Sequence, residues 1–148
     1  MTEINLKPGV DYIGVGVGAW ICNSKDEVLF LLRSKNAKNE KGKWSIPGGT
    51  VEFMETLQDA LKREVLEEIG CVIEVEKLLK VVDHILPDEK QHWCNPQFKC
   101  RIVSGTPEIR EPHKFDGMKW FSLRELPENV TINNLNIVKD IFAGKIKL

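Results

Sequence analysis

Glu64, Glu67 and Glu68 place three carboxylates in the short run Arg63-Glu64-Val65-Leu66-Glu67-Glu68. The run reads as part of a helix. Thr56 is its candidate N-cap, Asp59 occupies the capping-box position, and Gly70 is the left-handed stop. Leu57, Ala60, Leu61, Val65 and Ile69 recur at helical spacing and predict a buried face. At about 100° per residue, Glu64 and Glu68 fall on that same face, with Glu67 at its edge. An unpaired carboxylate there is costly, and all three sit at the negative end of the helix dipole. Glu64 and Glu68, four apart, also repel each other. A hard divalent cation removes these penalties together. Magnesium takes oxygen ligands, keeps several waters, and is held by few carboxylates plus substrate phosphates. The competing reading is a solvated acidic face, which charge runs taken alone usually are.

The surroundings decide between the two. Gly49, Glu55, Arg63, Glu64, Val65, Glu67, Glu68, Gly70 and Cys71 stand as G-x5-E-x7-R-E-U-x-E-E-x-G-U, with U apolar. This resembles the Nudix box, the signature of the Nudix hydrolases, over residues 49–71. Cys71 departs from the bulkier aliphatic the family prefers, and a cysteine packs as a small hydrophobe. The motif Trp44-Ser45-Ile46-Pro47-Gly48-Gly49 leads into the box as it does in the family.

The resemblance implies a reaction and roles. Nudix enzymes hydrolyse a nucleoside diphosphate linked to another moiety. Glu64, Glu67, Glu68 and the Gly49 carbonyl are the implied metal ligands, for Mg2+ with Mn2+ as a substitute. Glu64 or Glu68 is the implied general base. In some family members the base lies in a later loop, where Glu108 and Glu111 stand here. Arg63 is implied to pair with Glu55 and hold the loop against the helix. Catalytic candidates are therefore Glu64, Glu68, Arg63 and Glu55. Substrate-binding candidates are Arg33, for phosphate oxygens, and the aromatics Trp44, Phe53 and Trp120, with Phe121 beside them.

The elements that position these groups can be read in order. Residues 1–11 are polar with Pro8-Gly9 and read as a loose lead-in. Residues 12–22 alternate Gly14-Val15-Gly16-Val17-Gly18, a strand with side chains on one face and bare backbone on the other. That backbone serves close packing or close approach of a nucleotide. Residues 28–32 are an apolar buried strand, and residues 36–43 a polar loop. Residues 72–85 and 93–103 read as paired strands about a turn at 87–90, which would bring His84 near His92. Two histidines make no zinc site without further ligands. Trp93 reads as a cross-strand core contact or a base-stacking ring. Residues 104–118 read as a polar loop, 119–121 as a short strand, and 133–142 as a terminal helix. The fold class expected is mixed α/β (α+β). The resemblance implies one α/β/α sandwich domain with a mixed β-sheet between helices.

Composition sets the remaining bounds. The 148 residues suit one domain. A net charge of −1 exerts no global pull on nucleic acid or membrane, and the resemblance implies a small nucleotide as the partner. No apolar run approaches membrane-spanning length. Cys22, Cys71, Cys94 and Cys100 lack metal spacing and read as reduced thiols, so a cytoplasmic location is expected. Dimers are common in the resembled family, although no stretch here marks an interface. Similarity outside the box points to nucleoside triphosphate diphosphatases, which sanitise the nucleotide pool and release pyrophosphate. The alternative is an ADP-ribose or sugar-nucleotide pyrophosphatase, for which Pro87, sixteen residues beyond the box, is the pointer. A third reading, from another class, is a domain that binds a nucleotide without cleaving it. Such domains usually lose box glutamates, and all are kept here.

Overall fold

Val28, Leu29, Phe30 and Leu31 are apolar at every position because both faces of their strand are covered. The computed structural model describes residues 3–148. In it, β2 (Glu27–Arg33) turns Leu29 and Leu31 toward one core cluster and Val28 and Phe30 toward another. The first cluster adds Val17, Ala19 and Ile21 of β1 (Gly14–Ile21) to Ala60, Leu61, Val65 and Ile69 of α1 (Leu57–Ile69). The second adds Trp20, Ile46, Val82 and Phe121 to Ile137 and Val138 of α2 (Ile132–Phe142). A helix thus packs on each side of a β layer, the sandwich expected.

That layer is two sheets rather than one. The first has the order β4 (Gly48–Thr50), β1, β6 (Gln91–Ser104), β5 (Val72–Leu86). It is mixed, since β1 runs parallel to β6 and antiparallel to β4. The second is antiparallel: β3 (Trp44–Ser45), β2, β7 (Phe115–Ser122). Among the described residues the two sheets connect by the isolated Cys22–Val28 bridge, one residue past the end of β1. Beyond it Trp20 and Phe30 meet edge to face, with centroids 6.1 Å apart.

Four local expectations are corrected. Leu57 is 37% exposed at the first position of α1, and the buried face of the helix starts at Ala60. β7 starts at Phe115, inside the segment read as loop, because Phe115 pairs with Arg33 across a bulge while alternate polar residues hide the pattern. The lead-in is docked from Lys7 onward. Gly9 accepts no side chain there, since Trp93 lies against it, and its carbonyl receives the His92 N–H at 2.9 Å. His84 pairs with Trp93 and Ile85 with His92, so the two histidines lie on opposite faces of the hairpin. Cys71 is fully buried in the first cluster, and the four cysteines are free. Among the described residues no helix is long and apolar enough to cross a membrane.

Candidate active site

The box forms one structural unit. Thr56 Oγ1 accepts the Asp59 N–H at 3.1 Å and opens α1, and Gly70 closes it at φ 71°. The preceding loop is fastened to the helix by Arg63. Its guanidinium donates to both oxygens of Glu55, at 2.7 and 2.9 Å, and to the Thr50 carbonyl at 3.1 Å. The fork geometry makes this a rigid clasp. Arg63 holds the Glu55 carboxyl at about 2, and Glu55 in turn raises the guanidinium. Arg63 Nη1 also reaches Glu64 Oε1 at 3.0 Å and Glu67 Oε2 at 3.4 Å.

Glu68 is 4% exposed on the buried face of α1. Its Oε1 accepts the Gly48 N–H at 2.8 Å. Burial pushes its carboxyl well above the usual range, and Glu64 and Glu111 add repulsion that Gly48 and Lys114 only partly offset. Burial raises Glu64 too, despite Arg63. Glu67 is half-exposed at the rim. A methyl at Gly49 would collide with the Glu64 carboxylate, so the bare Gly49 backbone is what lets loop and helix meet. Buried Glu68 and half-buried Glu64, both raised above the usual carboxyl range beside a backbone loop, form a hard-oxygen donor set that fits magnesium. Among the described residues no group of three such side chains already converges on one point. That suits a cation whose coordination is completed by water and phosphate rather than a closed protein cage.

These groups form one end of a cleft of about 610 Å³. The cleft runs over Gly16 and Gly18 of β1 to Trp93, Asn95 and Gln97 of β6, and on to His84 of β5. Its other wall comes from Ser45, Ile46, the 36–40 loop, and Thr131, Asn133 and Asn134 at the start of α2. The loop is pinned through Glu40, whose carboxylate contacts His84 Nε2 at 2.7 Å and accepts the Ile132 N–H at 3.0 Å. Burial works to raise Glu40, but His84, Ile132 and Lys43 outweigh it and hold the carboxyl below its usual value. Lys114 lines the box end. Burial works to lower its ammonium, and Glu111, Glu64 and Glu68 outweigh that and raise it.

The sequence candidates divide accordingly. Gly49, Glu64, Glu67, Glu68, Arg63 and Arg33 line the cleft, and Glu55 stands directly behind Arg63. Arg33 donates to the Asn39 carbonyl and to Asn39 Oδ1, both at 2.9 Å. Burial lowers its guanidinium, and Glu40, Glu68 and Glu89 work against that. The aromatics do not join them. Trp44 stacks edge to face on Phe121 at 5.1 Å, Trp120 packs on the first core cluster, and Phe53 is 95% exposed at the tip of the box loop. Each follows from strand alternation or loop geometry that points the ring away from the cleft. Of the later-loop acids, Glu108 is exposed beside Arg110, whereas Glu111 lies close enough to Glu68 to repel it. Glu40, His84, Asn95, Gln97 and Lys114 were not singled out for the site from sequence. For Asn95 and Gln97 the signal was present: with Trp93 they occupy alternate positions, hence one face of β6.

Comparison with known proteins gives the same answer as the geometry. A human protein named 8-oxo-dGDP phosphatase NUDT18 is 39% identical over 127 residues, covering 84% of this chain and 36% of that protein. A Methanocaldococcus jannaschii protein named ADP-ribose pyrophosphatase is 31% identical over 121 residues, covering 82% of this chain and 69% of that one. The chain thus spans about a third of the length of its human relative. The solved structure of a MutT NUDIX hydrolase from Burkholderia pseudomallei superposes with a TM-score of 0.77 at 35% identity, over 86% of this chain and 97% of that one. The NUDIX domain family model matches residues 13–141, and the chain belongs to the Nudix family.

Proposed function

We propose that the protein is a magnesium-dependent pyrophosphohydrolase that cleaves a nucleoside triphosphate to the monophosphate and pyrophosphate. The observation that carries this reading is the pair of raised carboxyls, half-buried Glu64 and buried Glu68, lining one cleft of about 610 Å³. Glu64, Glu67, Glu68 and the Gly49 carbonyl would hold the metal. When bound, the cation neutralises phosphate charge and lowers the pKa of its water. Manganese offers the same hard-ligand chemistry and is the substitute expected.

The chain's own residues do the rest. Arg63, fixed by Glu55, orients Glu64 and keeps the Gly49 loop seated on α1. Glu64 or Glu68 takes the proton of the attacking water; Glu111, poised beside Glu68, is the third candidate for that role. Lys114 and Lys38 at the cleft rim supply positive charge for the leaving phosphates. Attack in line on phosphorus then draws its rate from positioning and electrostatics.

The alternative substrate is ADP-ribose, supported by the name of the archaeal relative. Pro87 lends it no weight, because it sits in the hairpin turn and not among the residues lining the cleft. A chromatographic product assay with magnesium decides. The panel holds canonical and oxidised dNTPs, the matching diphosphates, ADP-ribose and a sugar nucleotide. Monophosphate plus pyrophosphate from a triphosphate is the expected result. AMP plus ribose phosphate moves the assignment to the ADP-ribose reading. Binding without cleavage of any compound makes the domain a sensor, and full turnover in excess chelator overturns the metal role.

A further inference from the structure

Three buried side-chain polar atoms have no hydrogen-bond partner among the described residues: Ser45 Oγ, Asn95 Oδ1 and Glu111 Oε1. Two of them, on Ser45 and Asn95, belong to residues that line the cleft. Buried polar atoms are normally paired, and exceptions mark places where a partner is supplied from outside.

The sheet shows what would supply it. β4, β1 and β6 are adjacent; Gly16 of β1 pairs with Thr50, the neighbour of Gly49, on one side and lies beside Asn95 of β6 on the other. A methyl added at Gly16 would lie 3.5 Å from both Asn95 Nδ2 and the Gly49 carbonyl oxygen. Gly16 is therefore a bare step between the metal end and the carboxamide. The Asn95 amide nitrogen and the Gly49 carbonyl oxygen are therefore no more than twice 3.5 Å apart. A nucleoside whose 5′-phosphate lies at Gly49 brings the N7 side of its base toward that carboxamide.

We propose that the substrate's nucleoside lies across the bare backbone of Gly16 and Gly18, and that the Asn95 carboxamide reads the edge of its base. The inference rests on the nucleotide reading above and names the specificity-determining residue within it. Of the other carboxamides in the cleft, Gln97, Asn134, Asn39 and Asn36 are committed, and Asn133 lies on the α2 wall. Gln97 Oε1 accepts the Trp20 indole N–H at 2.6 Å. Asn134 Oδ1 accepts the Ile46 N–H and the Thr131 hydroxyl. Asn39 is held by Arg33 and Gln91. Asn95 keeps a donor and an acceptor side by side. It matches a base edge that also offers one of each, as adenine does at N6 and N7. On that same N7 edge, the one nearest the 5′-phosphate, guanine presents two acceptors, N7 and O6, and leaves Asn95 Oδ1 orphaned. A guanine oxidised at C8 carries a hydrogen on N7 beside O6 and restores the match.

The test is calorimetric binding of AMP, GMP, 8-oxo-dGMP and ribose 5-phosphate, each with magnesium present. The wild-type protein should bind AMP or 8-oxo-dGMP at least about 10-fold tighter than GMP. Asn95→Leu should remove that preference, with a loss of roughly 10- to 100-fold for the favoured nucleotide and little change for ribose 5-phosphate. Gly16→Ala adds its methyl at ordinary contact distance, so it should fold normally and weaken every nucleotide while magnesium binding holds. An unchanged base preference in Asn95→Leu overturns the inference, and so does an equal loss for ribose 5-phosphate. Monophosphate binding is independent of turnover. A protein that discriminates these bases but cleaves no triphosphate sinks the reaction and keeps the base reader. One that cleaves triphosphates with a preference indifferent to Asn95 does the reverse.

Discussion

Glu68 carries a conflict between stability and chemistry. Its carboxylate is buried with one N–H donor and two acidic neighbours, so burial keeps its pKa well above the usual range. A carboxyl raised in the folded state binds more protons there than in the unfolded chain. The metal-free protein therefore loses stability as pH climbs from the unfolded carboxyl value, about 4.3, toward the folded one. Glu68→Gln removes that loss. At pH 7 without metal, the variant should melt above the wild type, by roughly 2–4 °C for each kcal/mol recovered. The gap should close below about pH 4. Its turnover should fall about 10²- to 10⁴-fold. Calorimetric melts across pH, run with the activity assay, check both, and a variant that melts lower at every pH contradicts the account. This residue was legible in the sequence, because a charge on an apolar stripe breaks two local rules at once. Lys114 was not. It follows a loop whose course is set by Glu68, which accepts the Arg110 N–H at 2.9 Å through its backbone, and no spacing rule joins residue 114 to residue 64.

At the scale of elements, two loops hold the cleft in shape, and they differ in how much of them could be read. The box loop was visible as Pro47-Gly48-Gly49 with a matched Glu55 and Arg63. Gly49 is its tightest point, because any side chain there meets Glu64. Gly49→Val should displace loop and carboxylate together and weaken magnesium binding roughly 10- to 100-fold. Titration of magnesium by calorimetry measures this, and unchanged affinity would remove the loop from the metal site. The 36–43 loop read only as polar, yet Asn39 and Glu40 are buried. Its fixing points, His84, Gln91 and Ile132, are 44 to 92 residues from it, beyond any local pattern. Glu40 ties it to both β5 and the first turn of α2, where an anion is favoured by the helix dipole. Because His84, Ile132 and Lys43 hold the folded Glu40 below its usual value, its stabilisation is present above the unfolded value, about 4.3. It is lost as pH falls through the folded value. Glu40→Gln should cost roughly 1.5–3 kcal/mol at pH 7 and little near pH 3, as read by urea unfolding. An equal cost at both pH values would mean that the charge does not matter and only shape does.

For the whole molecule, the decisive fact is that the cleft lies where the two sheets meet. The overall pattern was readable: strand periods, the box helix and the terminal helix give helices on both sides of a β layer. The division of that layer was not readable, because it depends on the two sheets connecting, among the described residues, by the isolated Cys22–Val28 bridge, which no local sequence feature encodes. The consequence is mechanical. Gly16, Asn95 and Gln97 belong to one sheet, Ser45 and Arg33 to the other, and Glu64 and Asn134 to opposite helices. A nucleotide bound as proposed would touch all of these layers and tie them together. At 100 times its dissociation constant it should add about 2.7 kcal/mol to global stability. The gain should not be confined to the box. Hydrogen exchange with magnesium and a non-hydrolysable triphosphate should slow in four segments: β1, the middle of β6, the 36–43 loop and the start of α2. These segments are far apart in sequence and share only the cleft. Magnesium alone should protect the Gly48–Thr50 strand and the second half of α1, where its ligands lie. Protection restricted to that box segment even with nucleotide present would place the nucleoside outside the cleft and separate the metal site from base recognition.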